Sequence, residues 1–535
     1  MKKYVCGRRV LFCATILFIT LNCVFGAYFS VIIGKIVDAA GEDMNALVRA
    51  FLIGLLFVAG YVIVEIICGI LKEKLTAETR RHIKRDLFSA ILKKPIYSMS
   101  EASSAEYIND LSNNLNMFEQ NYINAIYSLT TVITMFISAS VITLTLEPFM
   151  LLVMVALALL TLLVSGNIGK PVEKRANGYM QKNAEYTAEI KDDLSASYLI
   201  RSFGITKTIL HKHNNKNDAA EDGKFSLGFL QTLCSSAGDL VGLLSTVFVM
   251  SAAAYFAIKG RFSAGMIITF GSLIGQIVSP VASLPSVIAK FSAAKPINTR
   301  FAEIMADNSA DDCNVQKIQK PDLTDRIEVK NVSFSYGDAP VLDKVSTVFK
   351  KGGKYAVTGL SGSGKSTLMN VVMGLLPADS GEVTYDGVNI KKLTPEDRSR
   401  IVSIVPQDSF LFNDTIRNNV TLFEKDIPDD RIIKALESAG IRGLIESLPE
   451  GLDTVVAENG SNFSGGEKQR FSLARAILRD CPVLVLDEGT SAIDTETAKQ
   501  IEKKLLEKKD LTLIAITHDV SQEHLALFDG VVRVS

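Results

Sequence analysis

The stretch Val357–Leu368, VTGLSGSGKSTL, decides the fold of the half of the chain that contains it. It places a glycine at 359 and, after four intervening residues, the triplet G-K-S, which is the spacing of a phosphate-binding loop. Glycines let the backbone curl so that successive N–H groups face phosphate oxygens, and the helix that follows points its positive end at them. The lysine of such a loop binds the β- and γ-phosphates and the serine binds Mg²⁺. A β-prone run precedes the loop, so the stretch predicts a site for a nucleoside triphosphate, which we expect to be ATP with Mg²⁺. The residues predicted to hold this nucleotide are Gly359, Ser361, Gly362, Gly364, Lys365, Ser366 and Thr367.

The composition indicates a chain made of two unlike parts. A length of 535 residues exceeds that of one domain, and a net charge of −1 gives no basic field for a nucleic acid. The mean hydropathy of +0.24 is high for a chain with 21% charged residues, which predicts a very apolar part beside a soluble one. The seven cysteines show no C-x-x-C or zinc spacing, so we expect them to be reduced and structural.

Six long apolar runs predict six membrane-spanning helices, because about 20 apolar residues cross the hydrocarbon layer. The basic residues before the first run could also mark a cleaved signal peptide. That run continues past Gly26 to Val37 without a break, which favours a span. The predicted spans are Val10–Ile36, Leu47–Leu71, Tyr122–Leu146, Pro148–Ile168, Leu227–Ile258 and Ala264–Ala289.

Lysine and arginine predict how these spans are oriented. They are concentrated before the first span, between the second and third, and between the fourth and fifth, whereas the other connections are short and poor in them. The N-terminus, both long connections and the C-terminal half are therefore predicted to be cytoplasmic. Two acids, Glu65 and Asp239, lie at or near membrane depth, where a charge is costly. They indicate either a cavity for polar cargo or a protonation site, or they are a boundary residue and a helix-packing residue; both interpretations stay open.

The C-terminal half has the pattern of an α/β domain. Residues 307–325 are polar without periodicity and read as a tether, and from Arg326 short β-branched runs alternate with helical patterns. We therefore predict an all-α transmembrane domain of six helices with long cytoplasmic extensions, followed by an α/β P-loop ATPase domain. The expected boundaries are 1–305 for the transmembrane domain, 306–325 for the linker and 326–535 for the ATP-binding domain.

A second chemical motif lies at Val483–Glu488, VLVLDE. Four apolar residues in a row suit a strand that is buried on both faces, and ligands of parallel sheets bind beyond the carboxyl ends of the strands. The two acids that end this run are predicted to lie at that edge. We expect Asp487 to hold Mg²⁺ and Glu488 to polarise the water that attacks the γ-phosphate.

A third motif is Phe463–Arg470, FSGGEKQR, which resembles the signature of the ABC transporters. The resemblance implies that Ser464, Gly465 and Gly466 contact the nucleotide. Other matches follow in the family's order: it implies that Tyr336 stacks on adenine and that His518 contacts the γ-phosphate. It also implies that Gln407 senses Mg²⁺ and touches the membrane domain. The catalytic set predicted in this way is Glu488, His518 and Gln407, and the metal set is Ser366, Gln407 and Asp487. Mild departures from the family's pattern lie at Phe463, Glu467, Gly489 and Ile493.

The six spans fused ahead of this domain resemble the exporter subfamily. In that subfamily the signature closes over ATP held by a second subunit, so the resemblance implies a dimer with a second copy or a homologous half-transporter. The function expected is ATP-driven export of an amphipathic molecule, such as a peptide, lipid or drug, across a bacterial plasma or inner membrane. Two alternatives stay open: an importer of a metal chelate built on the exporter plan, and an ATP-gated or regulatory membrane protein. No nucleic acid partner is expected.

Overall fold

The computed structural model describes every residue except 1, 6, 95–103, 307–321, 338, 490–492 and 535. The chain divides into two compact units, and each is described here by itself. The first contains residues 1–93 and 104–308, and the second contains the ATPase motifs. The predicted linker falls mostly outside the described residues.

The first unit is built from six long helices. Each of them contains a long apolar run, and several continue into charged sequence beyond it; the last of the six continues through Pro280, Pro285 and Pro296. Their bounds are α1 Arg9–Ala40, α2 Met44–Lys93, α3 Asn124–Leu146, α4 Pro148–Ser195, α5 Thr206–Ile258 and α6 Ala264–Ala306. Shorter helical segments lie at Lys2–Val5, Ser104–Asn109, Asp110–Asn114, Leu115–Phe118, Glu119–Ile123 and Ser197–Ser202.

Five of the six predicted spans lie on helices that are long and apolar enough to cross a membrane. The other, predicted at Pro148–Ile168, lies in α4, where the apolar stretch of the described residues runs over Pro148–Leu163. Glu65 and Asp239 are both exposed in this unit, so neither is a buried packing residue within the single chain. The fold class predicted for this half, a helical transmembrane domain, is confirmed.

The helices of this unit are joined by polar contacts as well as by close packing. The carboxylate of Asp38 at the end of α1 accepts hydrogen bonds from the Ser263 hydroxyl and the Gly265 backbone N–H, each at 2.7 Å. Ser30 of α1 and Ser272 of α6 share a hydrogen bond of 2.7 Å. The amide of Gln276 donates to the Ser30 hydroxyl at 3.0 Å. These bonds hold α1 and α6 together along their apolar length.

The second unit contains two sheets. Antiparallel strands form a four-stranded sheet in the order β2-β1-β4-β5, and a parallel five-stranded sheet has the order β6-β7-β8-β3-β9. The strands are β1 Arg326–Tyr336, β2 Ala339–Lys350, β3 Lys354–Thr358, β4 Ser380–Tyr385, β5 Val388–Asn389, β6 Val402–Val405, β7 Val483–Asp487, β8 Thr512–Ile516 and β9 Gly530–Arg533. Helices cover the parallel sheet, among them α7 Lys365–Val372 and α8 Gly465–Arg479; the others are Pro395–Ile401, Ile416–Thr421, Asp429–Ser438, Arg442–Ser447, Thr495–Glu507 and Gln522–Leu525.

The core of this unit explains the sequence pattern of its strands. Every residue of β7 and of β8 is buried, because both strands lie inside the sheet with helices on its faces. The resulting α/β architecture confirms the fold class predicted for the second half.

Candidate nucleotide site

The strand order brings four separated motifs to one edge of the parallel sheet. Strands β6, β7, β8 and β3 are neighbours and run in the same direction. The residues that follow them are Gln407 after β6, Glu488 after β7, His518 after β8 and the phosphate loop after β3. Since the carboxyl ends of parallel strands share an edge, these groups meet although more than 150 positions of sequence separate the first from the last.

The phosphate loop has the backbone that its glycines allow. Gly362 and Gly364 have φ values of 80° and 92°, which lie in the left-handed region that other residues adopt only with strain. A Cβ on Gly364 would lie 2.8 Å from a methyl carbon of Val341, so this position also lacks room for a side chain. The loop ends at the N-terminus of α7, which begins at Lys365. A concave turn of N–H groups at a helix N-terminus is a site for an anion.

Lys365 is folded back onto its own loop. Its ammonium donates hydrogen bonds to the carbonyl oxygens of Gly359 at 3.1 Å and Leu360 at 3.0 Å, and the residue is only 6% exposed. Carbonyl dipoles satisfy the hydrogen-bonding protons of this cation without neutralising its charge. A phosphate in the loop is therefore the counter-ion that fits beside it.

Glu488 is held by two of the predicted side chains. One carboxylate oxygen accepts a hydrogen bond of 2.9 Å from the Gln407 amide, and the other lies 2.6 Å from Nε2 of His518. The backbone of Glu488 has a φ of 52°, a conformation that is uncommon for a residue with a long side chain. Such a conformation persists only where the surrounding structure enforces it, and it is found more often at functional sites.

Asp487 is the buried acid of the site. It is 9% exposed at the end of β7, and burial raises the pKa of its carboxyl group above the usual value, while a hydrogen bond with Ser366 acts in the opposite direction. Among the described residues no group donates a hydrogen bond to its Oδ1 atom. A buried carboxylate oxygen without a donor fits a cation, and serine and aspartate oxygens suit Mg²⁺.

The residues of the site fit a magnesium nucleotide, with most ligands of the metal coming from outside the protein. Within the described part of the chain, no group of three His, Cys, Asp or Glu side chains could hold a metal ion. Mg²⁺ at Ser366 and Asp487 would therefore complete its shell with phosphate oxygens and water, as is usual for this ion in nucleotide sites.

The signature residues lie at the start of α8. Ser464 caps α8, and its hydroxyl is bonded to the Glu467 carboxylate at 2.8 Å. The Glu467 carboxylate also accepts from the Ser464 N–H at 2.7 Å, which completes a capping box. Ser464 and Gly465 are exposed and Gly466 is partly buried. In the described structure no hydrogen bond links these three residues to the phosphate loop.

Tyr336 is 46% exposed, with its ring edge-on to Phe334 at 4.9 Å between centroids. Part of the Tyr336 side chain is therefore accessible from outside the unit. Of the predicted loop residues, Ser361 and Ser366 are exposed and Thr367 is buried.

Two residues that contact these motifs are absent from the site residues predicted from the sequence. Gln469 on α8 is buried and donates to the Glu488 carbonyl oxygen at 3.4 Å, so it contacts the strained backbone. Glu467 departs from the family's pattern, and the spacing S-x-x-E is itself a sequence signal for a capping box. No comparable signal marks Gln469, because its contact depends on how α8 packs against the end of β7.

The fold and this edge define the chain as a membrane ATPase of the ABC type. A family model described as ABC transporter transmembrane region matches residues 12–281, and one described as ABC transporter matches residues 342–491. The chain therefore belongs to the ABC transporters, with a transmembrane region and an ATPase unit in one polypeptide.

The chain is similar to several transport proteins. An ATP-dependent lipid A-core flippase of Aliivibrio fischeri is 27% identical over 94% of this chain and 87% of its own length. The mesentericin-Y105 transport/processing ATP-binding protein MesD of Leuconostoc mesenteroides is 30% identical over 65% of this chain and 48% of its own length. A bacterial Atm1-family ABC exporter solved with ATP bound has a TM-score of 0.81 at 21% identity, covering 98% of this chain and 93% of that one, which shows a shared fold. The chain spans about 60% of the length of other curated relatives that it matches.

Proposed function

We propose that this chain is one half of a dimeric, ATP-driven exporter of an amphipathic substrate such as a peptide, a lipid or a drug. The fold is that of an exporter solved with ATP bound, and the relatives are named as a lipid A-core flippase and a mesentericin-Y105 transport/processing protein. The partner is a second copy or a homologous half. We place the protein in a bacterial plasma or inner membrane, with residues 1–305 as the transmembrane domain, 306–325 as the linker and 326–535 as the cytoplasmic ATP-binding domain.

The observation that carries the proposal is the arrangement around Glu488. Its carboxylate is held between Gln407 and His518 at the sheet edge that also ends in the phosphate loop. A carboxylate that is oriented through both oxygens can accept a proton from water in one fixed direction. This is the arrangement that hydrolysis of a phosphoanhydride requires.

Each side chain at this edge has a separate role in the hydrolysis of ATP. Bound ATP and Mg²⁺ supply the phosphoanhydride bond and the charge that neutralises its oxygens. Lys365 exchanges its two loop carbonyls for a phosphate, Asp487 offers its unpaired oxygen to the metal, and Glu488 accepts the proton of the attacking water. His518 keeps Glu488 oriented and can also donate to developing negative charge.

A single chain leaves this arrangement incomplete on one side. Ser464 and Gly465 are exposed at the N-terminus of α8, a helix of 15 residues whose positive end faces outward. Phosphate held by another chain is a suitable partner for that end. Closure of two chains around nucleotide then gives ATP a higher affinity for the closed state than for the open one, which is what a ligand-driven switch needs.

The test uses the full chain in proteoliposomes. Glu488→Gln should lower ATP turnover by about 100-fold or more while the protein retains bound ATP, because the proton acceptor is removed and the binding loop is intact. ATP hydrolysis and retained radiolabelled nucleotide are measured together. Glu507→Gln, at an exposed acid of the same unit, is the matched control. Undiminished hydrolysis by Glu488→Gln would refute the assigned role.

A further inference from the structure

A cavity of about 460 Å³ lies inside the membrane unit, separate from the nucleotide site. It is formed by α2, α3 and α6. Its lining includes Lys72, Asn124, Tyr127, Ser286, Val287 and Lys290.

The cavity lies at the boundary between apolar and polar sequence on all three helices. Lys72 directly follows the apolar run that ends at Leu71, and Lys290 directly follows the run that ends at Ala289. Asn124 lies two residues inside the run that begins at Tyr122. Since the adjacent connections are the basic ones, this boundary is on the side predicted to be cytoplasmic.

The charge of the cavity has one sign. Two lysines line it and no aspartate or glutamate does. Among the described residues, neither Lys72 nor Lys290 forms an ion pair or a side-chain hydrogen bond. Basic residues near a bilayer that have no partner in the protein are a signal of function, and basic pockets between helices on the cytoplasmic side suit anionic head groups.

The neutral groups of the cavity include side chains that can still donate a hydrogen bond. Several hydroxyls that line it are already used: Ser128 and Ser283 donate to backbone carbonyls at 2.8 Å, and the Tyr127 hydroxyl lies 3.3 Å from the Lys72 carbonyl oxygen. No hydrogen bond within the described structure uses the side chains of Asn124 and Ser286. The unused set is therefore two ammonium groups, an amide and a hydroxyl, which together suit an anion with several oxygen atoms.

We propose that this cavity binds the anionic head group of the transported molecule, a phosphate-type group on an amphiphile whose apolar tail stays at membrane depth. The inference rests on the proposed function and names its substrate class. Val287 and Val132 give the cavity an apolar wall, so the head group enters at the boundary while the tail follows the apolar runs. Lys72 and Lys290 determine specificity through charge.

The experiment compares three probes on the full chain in phosphatidylcholine nanodiscs. Lysophosphatidic acid carries a phosphate monoester, lysophosphatidylcholine carries a zwitterionic head on the same tail, and glycerol 3-phosphate is a head group without the tail. Stimulation of ATP hydrolysis is measured with the active protein. Binding is measured as a shift in Tm in the Glu488→Gln background, so that this readout does not depend on turnover.

We expect lysophosphatidic acid to act at much lower concentrations than the other two probes. Replacing both lysines, Lys72→Ala with Lys290→Ala, should raise its half-maximal concentration by about tenfold or more, the effect of losing at least one charge-assisted hydrogen bond. Lys72→Arg and Lys290→Arg should keep the preference, because they keep the charge. The control variants Lys74→Ala and Lys295→Ala, at exposed lysines of the same helices outside the cavity, should leave it unchanged.

Each contrary outcome is informative. If the double variant does not fold, the response to lysophosphatidic acid is compared between the single alanine variants and the arginine variants. Equal responses to the two lysophospholipids, or equal losses in the Lys74 and Lys295 controls, would overturn the proposal. If glycerol 3-phosphate is as effective as lysophosphatidic acid, the proposal that the ligand is an amphiphile is wrong, and the cavity binds a free phosphate compound instead. A lysine-dependent Tm shift without stimulation of hydrolysis would support the cavity and contradict the proposed coupling to transport.

Discussion

The two units of this chain remove apolar surface from water in different ways. In the ATPase unit β7 and β8 have no exposed residue, and the apolar side chains are enclosed between sheet and helices. In the membrane unit only 11% of the most apolar part of α2 is buried, and Leu55 and Leu56 are 60% and 76% exposed. Lipid is the solvent for those faces, so the hydrophobic effect drives the ATPase unit together but does little between the helices of the membrane unit.

The difference changes what a polar residue means in each unit. In the ATPase unit, polar groups at the carboxyl edge of the sheet are free for chemistry because the core beneath them is already stable. In the membrane unit, Asp38 and Gln276 instead hold α1 to α6, and close approach of small residues does the rest. The cavity at Lys72 and Lys290 is the exception, since the ammonium groups of these two lysines have no partner within the described structure.

The largest effect we expect comes from the ATPase edge and should leave stability almost unchanged. His518→Ala removes the group 2.6 Å from the Glu488 carboxylate, so ATP turnover should fall by about 100-fold, whereas nucleotide binding and Tm stay close to those of the parent. Steady-state hydrolysis and a thermal melt measure both. His211→Ala, at an exposed histidine of α5, is the control, and equal turnover in the two variants would contradict the role of His518.

We expect an effect of intermediate size in the membrane unit, on the stability of the protein rather than on ATP hydrolysis. A Cβ on Gly265 would overlap the carbonyl oxygen of Gly34, a backbone atom that cannot move aside as a side chain can. Gly265→Ala should therefore cost about 1–3 kcal/mol by overpacking and lower the Tm in detergent. Gly275→Ala is the matched control on the same helix, since nothing lies within 4 Å of its Cβ. Equal melting of the two variants would show that close packing of α1 and α6 matters little.

The smallest effect is a gain of stability at the site itself. Burial raises the pKa of Asp487, so the folded state holds its proton more tightly than the unfolded state, and stability is lost as pH rises from the unfolded to the folded pKa. Asp487→Asn should therefore raise the Tm of the nucleotide-free protein at pH 7 by an amount corresponding to about 1 kcal/mol, while Mg²⁺-dependent turnover is lost. The gain should shrink as the pH falls through the raised pKa of Asp487, because the parent is then protonated as well. A Tm that falls at pH 7 would contradict this account of the buried carboxylate.

The motifs predicted much of the ATPase edge because they are local. Each of three local patterns predicts a loop at the end of a strand. They are the spacing around Lys365, the apolar run before Asp487 and the histidine after a buried strand. The hydrogen bonds from Gln407 and His518 to Glu488 depend on the strand order β6-β7-β8-β3, which no local pattern contains. The same is true of Gln469, whose contact arises from the packing of α8.

By itself, the sequence predicted which segments are apolar enough to cross a membrane, where the α/β unit begins and which residues belong to the phosphate loop. These properties follow from composition, periodicity and spacing within one segment. Tertiary structure alone decided that Asp38 binds the start of α6 and that Lys72 and Lys290, more than 200 positions apart, line one cavity. The physical reason is that an apolar run specifies burial in lipid but not its neighbour, and only the packed helices bring distant polar groups within reach of one another.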